Sequence, residues 1–145
     1  MRWIFAATLS VFAAAALAND VGQVKVTKGV VHVERDGAQI PAVVGMPVRQ
    51  ADKLVTGADG TIGVTFADNS LLSVGPNSTL SVDKFSFNAS THEGQFDASL
   101  QRGTLAVVSG KMVKQSPDAM RIRTPASILG VRGTEFVVKV ADPGT

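Results

Sequence analysis

The stretch VHVERDG at residues 31–37 decides the fold class. Its two valines, Val31 and Val33, alternate with polar side chains, which is the period of two that a strand with one buried and one exposed face shows. Asp36-Gly37 follows directly. Asp-Gly is a strong signal for a two-residue hairpin turn, because both central positions of that turn adopt positive φ. The stretch therefore predicts a strand that ends in a tight turn.

The same pattern recurs along the rest of the chain, with turn signals such as GPNS at residues 75–78 between the runs. The apolar members of the runs are Val24 and Val26; Ile62, Val64 and Phe66; Leu72 and Val74; Leu80 and Val82; Phe85 and Phe87; Leu105 and Val107; Met120 and Ile122; and Phe136, Val138 and Val140. Residues 88–93 and 114–118 are predicted as loops, and residues 127–130 as a short helical turn. This spacing of short strands and tight turns indicates an all-β sandwich, barrel or β-solenoid.

Residues 1–18 have the features of a secretory signal peptide. Arg2 supplies the positive start, an apolar run follows, and Ala16-Leu17-Ala18 is the small-x-small pattern that signal peptidase reads. The run is shorter than the roughly 20 apolar residues that a membrane span needs. We therefore expect cleavage after Ala18, a single mature domain at residues 19–145, a periplasmic or secreted location, and no stable membrane insertion after cleavage.

Composition narrows the class of partner. The chain has no cysteine, so it has neither a disulfide nor a site for a lipoprotein anchor, and its apolar core must stabilise it alone. Loss of Arg2 with the signal peptide would leave 13 basic residues against 12 acidic ones. A nearly neutral mature chain lacks the basic surface of a nucleic-acid-binding protein, so we expect no nucleic-acid partner.

Catalytic and metal-binding groups are sparse. His32 and His92 are the only histidines, and they lie far apart, whereas zinc sites and hydrolytic triads need clustered groups. Asp52, Asp59 and Asp68 are too widely spaced for a continuous calcium loop, and each precedes a predicted turn. We therefore expect no metal, no other cofactor and no enzymatic activity.

Several phrases, taken in order, resemble the FecR-type domain, the periplasmic domain of ferric-citrate-type signalling regulators. They are GVVHV at 29–33, GMPV at 45–48, ADKLVTG at 51–57, FADNS at 66–70, GPNS at 75–78, RIRTP at 121–125 and GVRGTEF at 130–136. The resemblance covers almost all of residues 19–145. It implies an all-β fold of two packed, twisted antiparallel sheets, partly β-solenoid-like or sandwich-like, and a role in protein–protein signalling.

In the regulators, this type of domain receives a signal from a TonB-dependent outer-membrane transducer and passes it to a cytoplasmic sigma-factor system. With an export signal at its amino terminus, this chain is expected to have no cytoplasmic anti-sigma segment. The resemblance therefore predicts a non-catalytic periplasmic module whose partner is another envelope protein, such as a transducer or sensor. The alternative is a structural or assembly component of the cell envelope that associates with itself. A third hypothesis, a polysaccharide hydrolase, needs two carboxylates across a cleft, such as Asp83 with Glu135 or Asp97.

Three arginines near the carboxyl end are the candidate binding residues. Arg121 and Arg123 alternate on one face of a predicted strand, and Arg132 follows the glycine bend after it. Guanidinium groups suit recognition of carboxylates or phosphates through paired hydrogen bonds. The alternative is that these arginines pair with acids such as Glu135 and fasten the terminal strands together.

Overall fold

The structure is a computed structural model that describes residues 20–130 and 135–140. The expected signal peptide at residues 1–18 and the candidate Arg132 lie outside these ranges. Within them the chain forms β-strands and one short helix: β1 Asp20–Lys28, β2 Val31–Arg35, β3 Ala38–Pro41, β4 Pro47–Arg49, β5 Lys53–Thr56, β6 Thr61–Phe66, β7 Leu71–Val74, β8 Thr79–Phe87, β9 Gly94–Val108, α1 Lys111–Gln115, β10 Met120–Arg123, β11 Ile128–Gly130 and β12 Glu135–Val140.

The strands form one curled sheet, a half-barrel, in the order β3-β2-β5-β8-β9-β7-β6-β1-β4. Neighbours along this path are antiparallel. Strand β10 pairs with β9 in parallel, β11 pairs with β10, and β12 pairs with β9. The prediction of an all-β fold of short strands is confirmed. The predicted division into two packed sheets and the solenoid character are not, because the strands belong to one continuous sheet.

Strand β9 pairs with strands on both sides of the curled sheet, which allows one sheet to enclose a core. Its first part pairs with β8 and β10, and its second part, from Gly103 onward, pairs with β7 and β12. Gly103 has a φ of +96°, a conformation that favours glycine, and it marks the change of partners. We call the strands on the first side (β3, β2, β5, β8, β10 and β11) the β8 half. We call those on the second side (β7, β6, β1, β4 and β12) the β7 half.

A phenylalanine cluster joins the two halves. The ring of Phe66, on β6, lies with its centroid 5.6 Å from that of Phe85 on β8 and 4.6 Å from that of Phe96 on β9. Phe96 is completely buried. Aromatic pairs at such distances contribute roughly 0.5–1.5 kcal/mol each beyond the area they bury. The curl of the sheet therefore brings the apolar faces of its two halves into one core.

An ion pair also ties the halves together. The guanidinium of Arg35, at the end of β2, donates from Nε and Nη2 to the two carboxylate oxygens of Asp52 at 2.9 and 2.6 Å. Nη2 also donates to the Pro47 carbonyl, and the backbone N–H of Arg49 donates to Asp52, so β4 of the β7 half is held as well. Asp52 is 1% exposed. The hydrogen bonds to its carboxylate raise the pKa of Arg35, although burial acts in the opposite direction.

The predicted hairpin turn is confirmed. Asp36 and Gly37 have φ values of 51° and 78° and join β2 to β3, as a turn with positive φ at both central positions requires. The turn at residues 75–78 and the loop at 88–93 also lie where the sequence predicts them.

One local prediction is partly wrong and another is wrong. Residues 114–118 are not all loop, because α1 extends to Gln115. Residues 127–130 form no helical turn, because Ile128–Gly130 is strand β11, which pairs with β10 and places Leu129 opposite Ile122. Backbone pairing with a neighbouring strand decides the conformation of so short a segment, whatever its local preference.

Candidate functional site

Strand β10 presents two of the three candidate arginines. Met120 and Ile122 are completely buried, whereas Arg121 and Arg123 are exposed, as the period of two predicts. The arginines therefore project from the outer face of the β8 half. Because the strand that carries them is anchored by its buried side chains, the two guanidinium groups start from a fixed backbone.

The pairing of β10 with β9 determines the neighbours of these arginines. Arg121 lies opposite Asp97, and Arg123 lies opposite Ser99. From Ser99 the register continues across the sheet on the same face. This polar row consists of Arg123, Ser99, Ser81, Lys53, Glu34 and Gln39. The outer face of the β8 half is thus a polar surface with the arginines near one end.

Two carboxylates lie beside the arginines in different environments. Asp83 accepts hydrogen bonds from the hydroxyls of Ser81 and Ser99. Asp97 is only 8% exposed, and its Oδ2 accepts from Gln95 Nε2 at 3.1 Å. Its Oδ1 is buried and finds no hydrogen-bond donor within the described ranges. A buried acceptor without a donor costs roughly 1–3 kcal/mol, so a donor brought close to Asp97 would be stabilised there.

These carboxylates do not form the arrangement that a glycoside hydrolase needs. Asp83 and Asp97 lie on the neighbouring strands β8 and β9 and on one sheet face. Glu135 lies on β12, in the other half of the sheet. A hydrolase sets its two carboxylates on opposite sides of the bond to be cleaved. Asp83 and Asp97 are therefore neighbours, Glu135 is distant from both, and the three carboxylates do not face one another across a cleft.

The alternative hypothesis is that the arginines pair with acids and so fasten the terminal strands together. No such pair forms in the part of the chain that the structure describes. Neither Arg121 nor Arg123 makes a salt bridge with a described carboxylate, in contrast to the buried pair of Arg35 and Asp52. The third candidate, Arg132, lies outside the described residues. The structure therefore places Arg121 and Arg123 on the same exposed face of β10, without an ion pair to a described carboxylate.

Two of the three aspartates considered as metal ligands, and both histidines, make other contacts. Asp52 binds Arg35, and the buried Asp68 accepts hydrogen bonds from the N–H and hydroxyl of Ser70 in the turn between β6 and β7. The Nε2 atom of His32 lies 3.6 Å from Oε1 of Glu34, and the ring of His92 stacks on the ring of Phe87. Among residues 20–130 and 135–140, no group of three acidic or histidine side chains is placed to hold a metal ion. No helix in these ranges is long and apolar enough to cross a membrane.

Sequence reasoning missed the neighbours of the arginines. The alternation of Phe96, Ala98 and Leu100 with polar residues was a signal for the first part of β9, and it would have placed Asp97 and Ser99 on an outer face. Nothing local showed that this strand pairs in parallel with β10.

Comparison with known proteins identifies the family. The model of the FecR protein family matches residues 52–145, more than half of the chain. The chain therefore belongs to the FecR family, which is a family of regulatory and signalling proteins whose domains are typically periplasmic. The matched region begins at the buried Asp52 and includes both β10 arginines. No curated protein and no solved structure matches the chain.

Proposed function

We propose that this chain is a non-catalytic signalling module of the periplasm that binds another envelope protein through the outer face of the β8 half, at Arg121 and Arg123. The observation that carries the proposal is the position of these two arginines. They are exposed, they form no salt bridge with a described residue, and they start from a strand whose other face is fully buried. Membership of the FecR family supports the signalling role.

The chemistry of the arginines indicates what the partner offers. Guanidinium groups bind carboxylates through paired hydrogen bonds. Two residues on a strand span roughly 7 Å, so Arg121 and Arg123 match a partner segment that carries acidic side chains about as far apart. Exposed ion pairs contribute only about 0–1 kcal/mol each in water. A partner that covers the arginines and excludes water would strengthen them, and it would also bring donors towards Asp97.

The proposed module acts outside the inner membrane, because the expected signal peptide would export it. In that position it would pass a signal by contact with a transducer or sensor.

Chemical crosslinking in intact envelopes tests this proposal. The protein is recovered with its crosslinked partners, which mass spectrometry identifies, and the unsubstituted chain is compared with the double variant Arg121→Ala/Arg123→Ala. Arg102→Ala is the matched control, because Arg102 is an exposed arginine on the adjacent strand β9. We expect a specific envelope protein with the unsubstituted chain and the control, and about tenfold less with the double variant, as for the loss of a binding hot spot.

Folding of the variants is checked by thermal unfolding, where exposed substitutions shift stability by only about 0.5 kcal/mol. Recovery of the same partner in equal amount by the double variant would place the binding site elsewhere. Recovery of nothing but copies of this chain would overturn the signalling proposal and favour the second candidate, a structural component that associates with itself. This second candidate is supported by the apolar side chains that are exposed on the outer face of the β7 half and are described below.

A further inference from the structure

The outer face of the β7 half carries an exposed apolar row. The register places in one line, across five strands, Val26, Gly63, Ser73, Ala106 and Val137. The valines at the two ends are 59% and 65% exposed, and the three residues between them are small. A shallow depression of about 430 Å³ lies over the part of the row from Val26 to Ala106. Exposed apolar surface of this kind marks a site of interaction.

The row ends at a free sheet edge. Strand β12 pairs with β9 along one side, and none of the described strands pairs with its other side. Three of its side chains, Glu135, Val137 and Lys139, are exposed on the outer face, whereas Val138 points into the core and is 6% exposed. A six-residue edge strand whose outer backbone groups pair with none of the described strands is a template for another strand.

The sequence of β12 is complementary to itself. If a second copy of β12 pairs antiparallel about a two-fold axis through Val137, Glu135 of each copy lies opposite Lys139 of the other. Opposite charges directly across a strand pair stabilise it, and like charges destabilise it. A parallel pairing in the same register would instead set Glu135 against Glu135 and Lys139 against Lys139. The charges therefore favour the antiparallel pair.

The same pairing joins the two apolar rows. Val137 of each copy meets Val137 of the other on the axis, so the row that begins at Val26 continues into the second copy and ends at its Val26. The interface is isologous, with the same patch used by both copies, which is the commonest arrangement in homodimers. The charge pairing, the register and the apolar row are thus all consistent with one geometry, the antiparallel pair about Val137.

We propose that β12 is a homodimerisation edge at which a second copy of this chain pairs antiparallel about Val137. This site is separate from the arginine face, and it goes beyond the proposed signalling function, which does not depend on it. Edge pairing between two strands of this length buries little surface, so the dimer belongs with weak, transient complexes. The fraction of dimer should therefore rise as the protein concentration rises.

Charge reversal tests the pairing. In a dimer of the Glu135→Lys variant, a lysine lies opposite Lys139 at each end of the strand pair. In a dimer of the Lys139→Glu variant, two carboxylates lie opposite each other at each end. Sedimentation velocity of the exported chain, from micromolar to millimolar concentration, should show a dimer that each single variant weakens about tenfold. The double variant Glu135→Lys/Lys139→Glu should restore it. Lys28→Glu, the same charge change at an exposed position on β1, is the matched control and should leave the dimer unchanged.

A cysteine on the axis gives a second measurement that needs no change of charge. The chain has no cysteine of its own. Residues directly opposite in an antiparallel pair have Cα atoms about 4.5–5.5 Å apart, within the roughly 4.4–6.8 Å that a disulfide spans. Val137→Cys should therefore form a covalent dimer on mild oxidation. Val26→Cys, nearly as exposed at the far end of the row, should not.

The outcomes decide between the proposed dimer and its alternatives. Restoration by the double variant, together with crosslinking at position 137 alone, supports the antiparallel edge. A chain that stays monomeric and does not crosslink at position 137 overturns it. A dimer that ignores the charge reversals, or that crosslinks equally at position 26, shows that copies associate through another surface. None of these results depends on recovering an envelope partner, so this test is independent of the arginine face.

Discussion

Removal of the Arg35 guanidinium should destabilise the fold more than removal of any other arginine side chain that the structure describes. Asp52 is 1% exposed, and without the Arg35 guanidinium in Arg35→Met its carboxylate would keep, among the described residues, only the backbone N–H of Arg49, at 2.9 Å, as a donor. Breaking a buried ion pair by removing one partner costs roughly 3–5 kcal/mol. We expect a loss of that size in the free energy of unfolding.

A second substitution isolates the cause. Asp52→Asn removes the buried charge but keeps an oxygen that can accept a hydrogen bond. Residues that share such a network couple by roughly 0.5–3 kcal/mol. The double variant Arg35→Met/Asp52→Asn should therefore be more stable than Arg35→Met alone, because it no longer buries an uncompensated charge.

Urea unfolding followed by far-ultraviolet circular dichroism gives these free energies by linear extrapolation. Tryptophan fluorescence is unsuited, since the only tryptophan is Trp3, in the expected signal peptide. Arg49→Met is the matched control. The Arg49 side chain forms an exposed pair with Asp20, and such pairs contribute about 0–1 kcal/mol. An Arg35→Met variant no less stable than Arg49→Met, or a double variant less stable than Arg35→Met, would show that Arg35 does not compensate a buried charge on Asp52.

Two further predictions concern the core and the bend in β9. A side chain at Gly103 would overlap Ser78 and would need a φ of +96°, so Gly103→Ala should lose about 3 kcal/mol or more. Gly37→Ala, at a φ of +78° with open space around it, should lose only about 1–2 kcal/mol, and equal losses at both sites would contradict the role given to the bend. Phe96→Ala should cost roughly 3–5 kcal/mol, because it empties the centre of the cluster with Phe66 and Phe85; a loss below about 1 kcal/mol in urea unfolding would show that the two halves do not depend on it.

Local patterns in the sequence were enough to predict the strands and turns that depend on neighbouring residues. The Asp36-Gly37 hairpin follows from the conformations that its two residues tolerate, and the exposure of Arg121 and Arg123 follows from strand alternation. Relations between distant segments were not accessible in this way. Asp52 looked like an ordinary turn residue, since nothing near it indicates that Arg35 lies against its carboxylate.

The same limit applies to the architecture. The prediction of two sheets treated each strand as belonging to one layer, whereas β9 belongs to both halves and bends at Gly103. The parallel pairing of β10 with β9, which gives Arg121 and Arg123 their neighbours, joins segments separated by a helix and a turn. Periodicity shows which face of a strand is buried but does not show which strand lies beside it.

Site-specific photocrosslinking in living cells can show whether the arginine face of β10 contacts another envelope protein. A photoreactive amino acid replaces Arg123 in one variant and Arg102, on the adjacent strand, in the control. We expect one discrete crosslinked product with a different envelope protein from position 123, and a much weaker one from position 102. Equal products from both positions, or none from position 123 in a folded and exported chain, would contradict it.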